Sequence, residues 1–333
     1  MKSPTILVLL SLGFAVPLAC GQAKQPAQIT FRVVDDLGQP VSGGTVSAST
    51  FSHVVRSEGF GHQVNDIYTV EIGPKGAAIL KGDSLNGEFT YAVEPTRQYY
   101  PGAGGKYRFT SSESGRWEPS NPEVTVVVPR ILNPVPLYVR QLGIMQNVEM
   151  PTTGPVGFDL LVSDWVAPHG KGKRADLIFG RKAITPVTDP AKAFESIFTI
   201  SFANEGDGIQ SRPAAPTRRL IELPREAPES GYEPTLVKKV ARAAEGAALE
   251  NDTREDQNYF FRVRTALDPN GKIISALYGK IYGDIQFFAT ASPNGMVRFL
   301  YYLNPTSLDR NLEFDYKRNL FKEPMDGILG HGP

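Results

Sequence analysis

Turn-forming residues divide this chain into short apolar runs, and this division constrains its fold more than any other feature. Among its 333 residues are 32 glycines and 27 prolines, scattered between the apolar runs. Such punctuation favours strands joined by turns over long helices. We therefore predict an all-β chain. At roughly 100 to 200 residues per domain, we expect two domains.

The overall charge is balanced. Lysine plus arginine and aspartate plus glutamate each number 35, and the hydrophobic fraction of 41% is typical of a folded protein. A balanced chain has no global attraction to phosphate backbones. We therefore do not expect nucleic acid as a partner.

Residues 1–19 have the pattern of a secretory signal peptide. Lys2 supplies a positive start, an apolar stretch follows from Thr5 to Ala19, and small residues come next. The stretch is shorter than the roughly 20 residues that usually span a bilayer. We therefore predict export and a mature protein without a transmembrane helix.

The only cysteine of the chain follows this apolar stretch directly, in Leu18-Ala19-Cys20-Gly21. These four residues resemble the lipobox of bacterial lipoproteins. The resemblance implies that Cys20 carries a lipid that anchors the protein to a membrane, with residues 20–28 as anchor and spacer. Ordinary cleavage after Ala23 is the alternative, and it would give a periplasmic or secreted protein.

Residues 29–137 are predicted to form the first domain. Ile29, Phe31 and Val33 alternate with polar residues, which is the period of a half-buried strand. Turn residues separate several further apolar runs, a spacing typical of a β-sandwich. The further predicted strands are Val41–Ala48, Tyr68–Ile72, Ala77–Leu80, Phe89–Val93 and Val124–Val128.

The opening of this domain also resembles a known family. The run from Val33 to Val46, VVDDLGQPVSGGTV, is similar to the first motif of carboxypeptidase regulatory-like domains, V-x-D-x-x-G-x-P-V-x-G-A-x-V. Only Gly44 departs from that pattern, where alanine is usual. The resemblance covers about Ile29 to Pro101. It implies a transthyretin-like β-sandwich of about seven strands and no catalysis.

Residues 138–333 are predicted to form a second β-rich domain of unknown type. Apolar runs at Val156–Val166, Ala175–Phe179 and Ile197–Phe202 indicate strands, and three-to-four spacing of apolar residues over Thr235–Leu249 predicts one short helix. Asn-Gly pairs then separate aromatic-rich runs, which predicts an antiparallel meander. Its four predicted strands are Tyr259–Leu267, Lys272–Tyr282, Asp284–Thr290 and Met296–Leu303.

The sequence predicts no catalytic residue, no metal site and no cofactor. Its four histidines lack the spacing that places two imidazoles on one metal, and the serine elbow G-x-S-x-G does not occur. Asn204, Glu205 and Asp207 are weak calcium candidates, although a polar turn is the favoured interpretation. Gly170 to Lys173 lacks the spacing of a phosphate loop and is interpreted as a solvated turn.

Acidic residues of the second domain supply an alternative function. A glycosidase needs two carboxylates roughly 5 to 9 Å apart in a cleft. Nothing in the sequence selects a pair, so a carbohydrate-active hydrolase stays the second hypothesis. The available side chains are Asp159, Asp164, Asp176, Glu205 and Asp207.

Aromatic residues near turns are the candidates for ligand binding. Tyr99, Tyr100, Trp117 and Trp165 lie in turn-rich segments, where exposed rings could stack on sugars or anchor a partner. Packing inside a sandwich is the alternative for each of them. Together these observations favour a non-enzymatic lipoprotein of the outer membrane or cell surface that is a binding or structural module for a polysaccharide or another envelope protein.

Overall fold

The computed structural model describes residues 27–57, 60–82, 87–111, 117–142, 148–185, 189, 191–213, 224–254, 256–290 and 293–322, without the side chains of 51–65 and 111–117. Every regular element in these ranges is a β-strand, which confirms the all-β prediction. Within them, no helical segment has both the length and the hydropathy that crossing a lipid bilayer requires.

The first unit contains two sheets. One has the strand order β4-β1-β9 and the other β3-β2-β5-β6, while β7 and β8 form a separate short ribbon. Seven strands thus make up the two sheets. The strands are β1 (Ala27–Val34), β2 (Thr45–Ser57), β3 (Phe60–Glu71), β4 (Ala77–Gly82), β5 (Glu88–Glu94), β6 (Ala103–Arg108), β7 (Thr110–Ser111), β8 (Trp117–Glu118) and β9 (Glu123–Val127).

Strand alternation builds the core of this unit. In β1 the side chains of Ile29, Phe31 and Val33 are fully buried, whereas Arg32 between them is exposed. Residues from the partner strands, such as Leu80 and Phe89, complete the same apolar cluster. The period-two pattern that predicted the opening strand is therefore the pattern that fills the core.

The second unit contains two larger sheets. One has seven strands in the order β16-β19-β20-β21-β10-β22, with β11 added to β21; the other has six in the order β13-β12-β14-β15-β17-β18. The strands are β10 (Val135–Leu142), β11 (Val148–Glu149), β12 (Val156–Asp159), β13 (Asp164–Trp165), β14 (Leu177–Thr185), β15 (Phe194–Ser201), β16 (Gly208–Pro213), β17 (Thr235–Arg242), β18 (Glu250–Asn251), β19 (Gln257–Leu267), β20 (Ile273–Phe288), β21 (Met296–Asn304) and β22 (Phe314–Asn319).

Both faces of the seven-stranded sheet are covered. One face shares a large aromatic core with the six-stranded sheet, to which β19 contributes Tyr259 and Phe261. On the opposite face Phe260 packs in a smaller cluster with Ala227 and Leu312. Covering on both faces explains why β19 is an almost continuous buried run and does not alternate with exposed residues.

The predicted helix at Thr235–Leu249 is wrong. Residues Thr235–Arg242 form strand β17, which pairs along its whole length with β15, and the following residues form turns and irregular structure. The apolar residues that suggested helical spacing lie on both faces of the strand: Val240 is buried, whereas Val237 is 56% exposed. The β-branched residues Thr235, Val237 and Val240 favour a strand, but the pairing with β15 that forms it involves residues distant in the sequence.

The predicted meander is antiparallel, but it contains three strands and not four. The runs Lys272–Tyr282 and Asp284–Thr290 are predicted as two separate strands, but one long strand, β20 (Ile273–Phe288), runs through both of them. Gly283 takes a positive φ of 76°. The register with β21 shifts between Tyr282 and Gln286, so this glycine lies in a bulge that leaves the chain direction unchanged.

Candidate functional site

The candidate carboxylates of the second unit meet at one arginine. Arg264 Nε lies 2.7 Å from Asp176 Oδ1, and its Nη2 lies 2.9 Å from Asp159 Oδ1 and from Asp176 Oδ2. The side chains of Asp159 and Asp176 are 3% and 0% exposed. A shared cation of this kind offsets the charge of two buried acids.

Backbone amides occupy the other oxygens of these acids. Asp159 Oδ2 accepts hydrogen bonds from the amides of Lys173 and Arg174, and Asp176 Oδ2 accepts one from Leu160. Asp159 Oδ1 also accepts from the amides of Leu161 and Val162. The two carboxylates therefore hold both ends of the loop between β12 and β14.

The surroundings of Asp159 and Asp176 shift the pKa values of the two carboxyls in opposite directions. Burial acts to raise the pKa of Asp159, but the amides of Lys173 and Arg174 and the charge of Arg264 lower it below the ordinary value. Burial dominates at Asp176 and raises the pKa of that carboxyl. Although unequal acids are typical of catalytic pairs, every oxygen of this pair is already bound by the protein itself.

Asp164 and Asp207 likewise accept hydrogen bonds from other groups of the protein. Asp164 accepts hydrogen bonds from the amides of Trp165 and Lys171. Asp207 accepts one from the amide of Thr265 at 2.7 Å and one from the side-chain amide of Asn204 at 2.6 Å.

Glu205 is exposed. The hydrogen bonds that Asp207 accepts from Asn204 and Thr265 indicate that residues 204–207 form a polar turn. Among the described residues, no group of three or more histidine, cysteine or acidic side chains is arranged to hold a metal ion.

The predicted ligand-binding aromatics lie in different environments. Trp165 is only 7% exposed and packs edge-on against Phe158 and Phe179 in the core. Tyr100 is fully buried, and Tyr99 is half-buried. A surface role for the Trp165 and Tyr100 rings is therefore wrong, because neither ring has a free face.

Two of the predicted site residues, Trp117 and Cys20, have no described side chain. The backbone of Trp117 pairs with Ser111 in the short β7–β8 ribbon, but its side chain lies outside the described residues. Cys20, with the signal peptide and the spacer, also lies outside them except for the last two spacer residues. Lipid anchoring and sugar stacking by Trp117 stay predictions.

A polar joint connects the two units, and its centre is Glu313. The carboxylate of Glu313 accepts hydrogen bonds from the amides of Leu132 and Asn133, in the segment that leads into the second unit. The hydroxyl of Tyr100, from the first unit, lies 3.3 Å from the same carboxylate and donates to the carbonyl of Phe314 at 2.9 Å. Burial and the neighbouring Glu313 raise the pKa of Tyr100.

Charged side chains complete the joint. Arg225 donates to the Arg130 carbonyl at 2.6 Å and to Asp36 at 3.2 Å, and its Nε lies 3.5 Å from Glu313. Arg130 donates to the other oxygen of Asp36 at 2.6 Å. Burial acts to raise the pKa of Asp36, but Arg130 and Arg225 lower it. Asp36, Arg130, Arg225 and Glu313 thus bind both units to one network.

Sequence reasoning missed these residues and two buried lysines. Lys238 in β17 pairs with Asp284 in β20, and Lys280 in β20 is 1% exposed and lies within the electrostatic influence of Arg225 and Glu313. Burial, with the nearby charge of Arg225, lowers the pKa of Lys280 to about 7. The sequence did offer one signal for such residues, which is a single charged residue within an apolar run. A charge is costly to bury without a specific partner, so its position in such a run indicates a specific buried interaction.

Comparison with known proteins shows no relative by sequence. No family profile matches the chain, and no curated protein does. Among solved structures, the full-length major pilin SpaD from Corynebacterium diphtheriae is 10% identical with a TM-score of 0.26, covering 77% of this chain and 66% of that one. The pilus adhesin RrgA from Streptococcus pneumoniae is 12% identical with a TM-score of 0.19, covering 56% and 21%. The matches thus span 66% of the length of the pilin and 21% of the length of the adhesin.

Proposed function

We propose that this chain is a non-catalytic module of the cell envelope or cell surface, in which two β units act together as one rigid structural or binding element. The observation that carries the proposal is the joint at Glu313. Its carboxylate binds two consecutive amides between the units, and Tyr100 and Arg225 approach it from either side. A buried network of this kind supports one fixed arrangement of the units.

The use of the carboxylates supports the same proposal. Asp159, Asp164, Asp176 and Asp207 bind backbone amides or Arg264, so they act as structural acceptors. A glycosidase requires one carboxyl that donates a proton and one that faces the sugar or a water. The hydrolase hypothesis would need these acids to leave their present partners.

The N-terminal sequence supports the location. We propose export by the signal peptide and anchoring through Cys20, with the spacer placing the first unit close to the membrane. Radiolabelled palmitate incorporated in a bacterial host tests the anchor. Label in the full chain and none in Cys20→Ala would support it, whereas a soluble, unlabelled wild-type chain would favour cleavage after Ala23.

Binding and hydrolysis can be tested in one experiment. The chain from Lys24 to Pro333 would be mixed with insoluble polysaccharides and cell-wall preparations, and both retained protein and released sugar would be measured. We expect no released sugar, whether or not the protein is retained on the polysaccharides. Sugar release that disappears in Asp159→Asn or Asp176→Asn would overturn the proposal, provided that circular dichroism shows these variants to be folded.

A further inference from the structure

The loop between β13 and β14 presents a concentrated group of basic side chains. Residues 169–174 read His-Gly-Lys-Gly-Lys-Arg, and no acidic residue interrupts them. The side chains of His169, Lys171, Lys173 and Arg174 are all exposed. Because the whole chain has no net charge, this segment is a local feature and not a consequence of composition. We call residues 169–174 the basic loop.

The protein fixes the backbone of the basic loop from below. The carboxylate of Asp164 accepts a hydrogen bond from the amide of Lys171, and that of Asp159 accepts hydrogen bonds from the amides of Lys173 and Arg174. The amide of Gly172 donates to the Trp165 carbonyl at 2.8 Å. The carboxylates that lie under the loop thus direct their oxygens to its amides, while the cationic side chains are on the outside.

Two glycines allow this tight arrangement. A Cβ atom at Gly170 would lie 2.5 Å from the Trp165 carbonyl oxygen and from Asp164 Oδ1. At Gly172 it would lie 2.8 Å from the carbonyl oxygens of both Asp164 and Trp165. Both distances are shorter than any normal contact, so the loop in this form requires glycine at each position. Trp165, buried in the core, supports the loop from the inside.

From this geometry we infer that the basic loop is a binding site for an anionic polysaccharide, with Lys171, Lys173 and Arg174 contacting its carboxylate, sulfate or phosphate groups. The inference rests on the proposed function and specifies the ligand class. A loop already fixed before binding loses little conformational entropy when it binds. Ammonium and guanidinium groups are the common partners of such anions.

A polysaccharide suits this site better than nucleic acid or a membrane. Strong binding to nucleic acid usually involves some six to ten phosphate contacts, and the basic loop supplies three permanent cations. Membrane surfaces bind segments that combine charge with a large apolar face. The basic loop itself contains no phenylalanine, tyrosine or tryptophan, and Trp165, which precedes it in the sequence, is buried in the core and not available for insertion into lipid.

Binding of the chain from Lys24 to Pro333 would be measured against polygalacturonate, dextran sulfate and neutral dextran over a range of salt concentrations. We expect both anionic polymers to bind and neutral dextran not to bind. The double substitution Lys171→Gln with Lys173→Gln should weaken binding at least about tenfold and lower the salt dependence by roughly one to two ions.

The matched control replaces two exposed lysines of the first unit, Lys75→Gln with Lys81→Gln. It should leave the affinity within about twofold of wild type. Equal weakening by both double variants, or binding of neither anionic polymer, would overturn the inference. Tighter binding to duplex DNA, or to vesicles of phosphatidylglycerol and phosphatidylcholine in equal parts, would overturn it in favour of that partner.

The shape of the loop has its own test. Gly172→Ala keeps every charge but places a Cβ atom against two carbonyl oxygens, so it should weaken binding several-fold while the chain stays folded by circular dichroism. Unchanged affinity in a folded Gly172→Ala protein would show that the fixed geometry is not part of the site. A protein that fails to bind anions and still releases no sugar would refute this inference but not the proposed function.

Discussion

Lys238 Nζ lies 2.6 Å from both carboxylate oxygens of Asp284 and links the two large sheets of the second unit across their shared core. The side chains are 7% and 1% exposed. The Tyr259 hydroxyl and the Arg254 amide donate to the same carboxylate, each at 2.6 Å. The pair is therefore fully engaged, and its removal has consequences that can be measured.

Asp284→Asn should destabilise the protein by about 3 to 5 kcal/mol, because it leaves the Lys238 ammonium buried without its counter-charge. The double variant Lys238→Met with Asp284→Leu should lose less stability than Asp284→Asn alone. Chemical denaturation would measure both free energies. Asp256→Asn, which breaks an exposed pair with Arg254, is the control and should change stability little; equal losses in Asp284→Asn and the control would refute the prediction.

The buried Lys280 should make stability depend on pH. Its pKa is lowered to about 7 in the folded protein, against roughly 10.4 in an unfolded chain. Between these values the unfolded state holds the proton and the folded state does not, so stability rises with pH. Below pH 7 the cost of burying the charge is fully present.

Replacement of this lysine by methionine should remove that part of the pH dependence. The difference in unfolding free energy between wild type and Lys280→Met should change by on the order of 3 kcal/mol between pH 7 and pH 10. Thermal or chemical unfolding at several pH values measures it. A difference that stays constant over this range would mean that Lys280 keeps its proton in the folded state.

Arg264 should hold the loop above it in place. Arg264→Met leaves the carboxylates of Asp159 and Asp176 without a counter-charge, so we expect a loss of about 3 to 5 kcal/mol. Amide hydrogen exchange should speed up in residues 160–176. Arg264→Lys should recover only part of the stability, because lysine lacks the planar fork that reaches both acids; full recovery would show that charge alone is sufficient.

Glu313 should fix the position of the two units. Glu313→Ala removes the acceptor of the Leu132 and Asn133 amides, so we expect a broader distribution of distances between the units. Spin labels at Lys81→Cys and Lys182→Cys, both exposed, would report it. The chain from residue 24 has no other cysteine.

The control for this measurement is Glu123→Gln, which changes an exposed carboxylate of the first unit. It should leave the distance distribution as narrow as in wild type. A distribution that stays narrow in Glu313→Ala would show that the joint does not need this carboxylate. A broad distribution already present in wild type would argue against a rigid element.

Local sequence signals predicted the strand content well. The alternation at Ile29, Phe31 and Val33 corresponds to the buried face of β1, and the turn at Pro269 to Gly271 separates β19 from β20 as expected. These features depend on neighbouring residues, so a pattern read along the chain contains them. The predictions were wrong where pairing with a distant strand determines the structure. Thr235–Arg242 is a strand because it pairs with β15, and β20 continues through Gly283 because it pairs with β21 on both sides of that glycine.

By itself, the sequence determined that this protein is an all-β chain with turns at its glycines and prolines, because periodicity and turn propensity act over a few residues. Only the tertiary structure decided the roles of its charged and aromatic side chains. Trp165 and Asp176 lie close to turns in the sequence, yet both are buried, because residues from distant strands surround them. Burial and hydrogen-bond partners depend on contacts between remote segments, and no local pattern records those contacts.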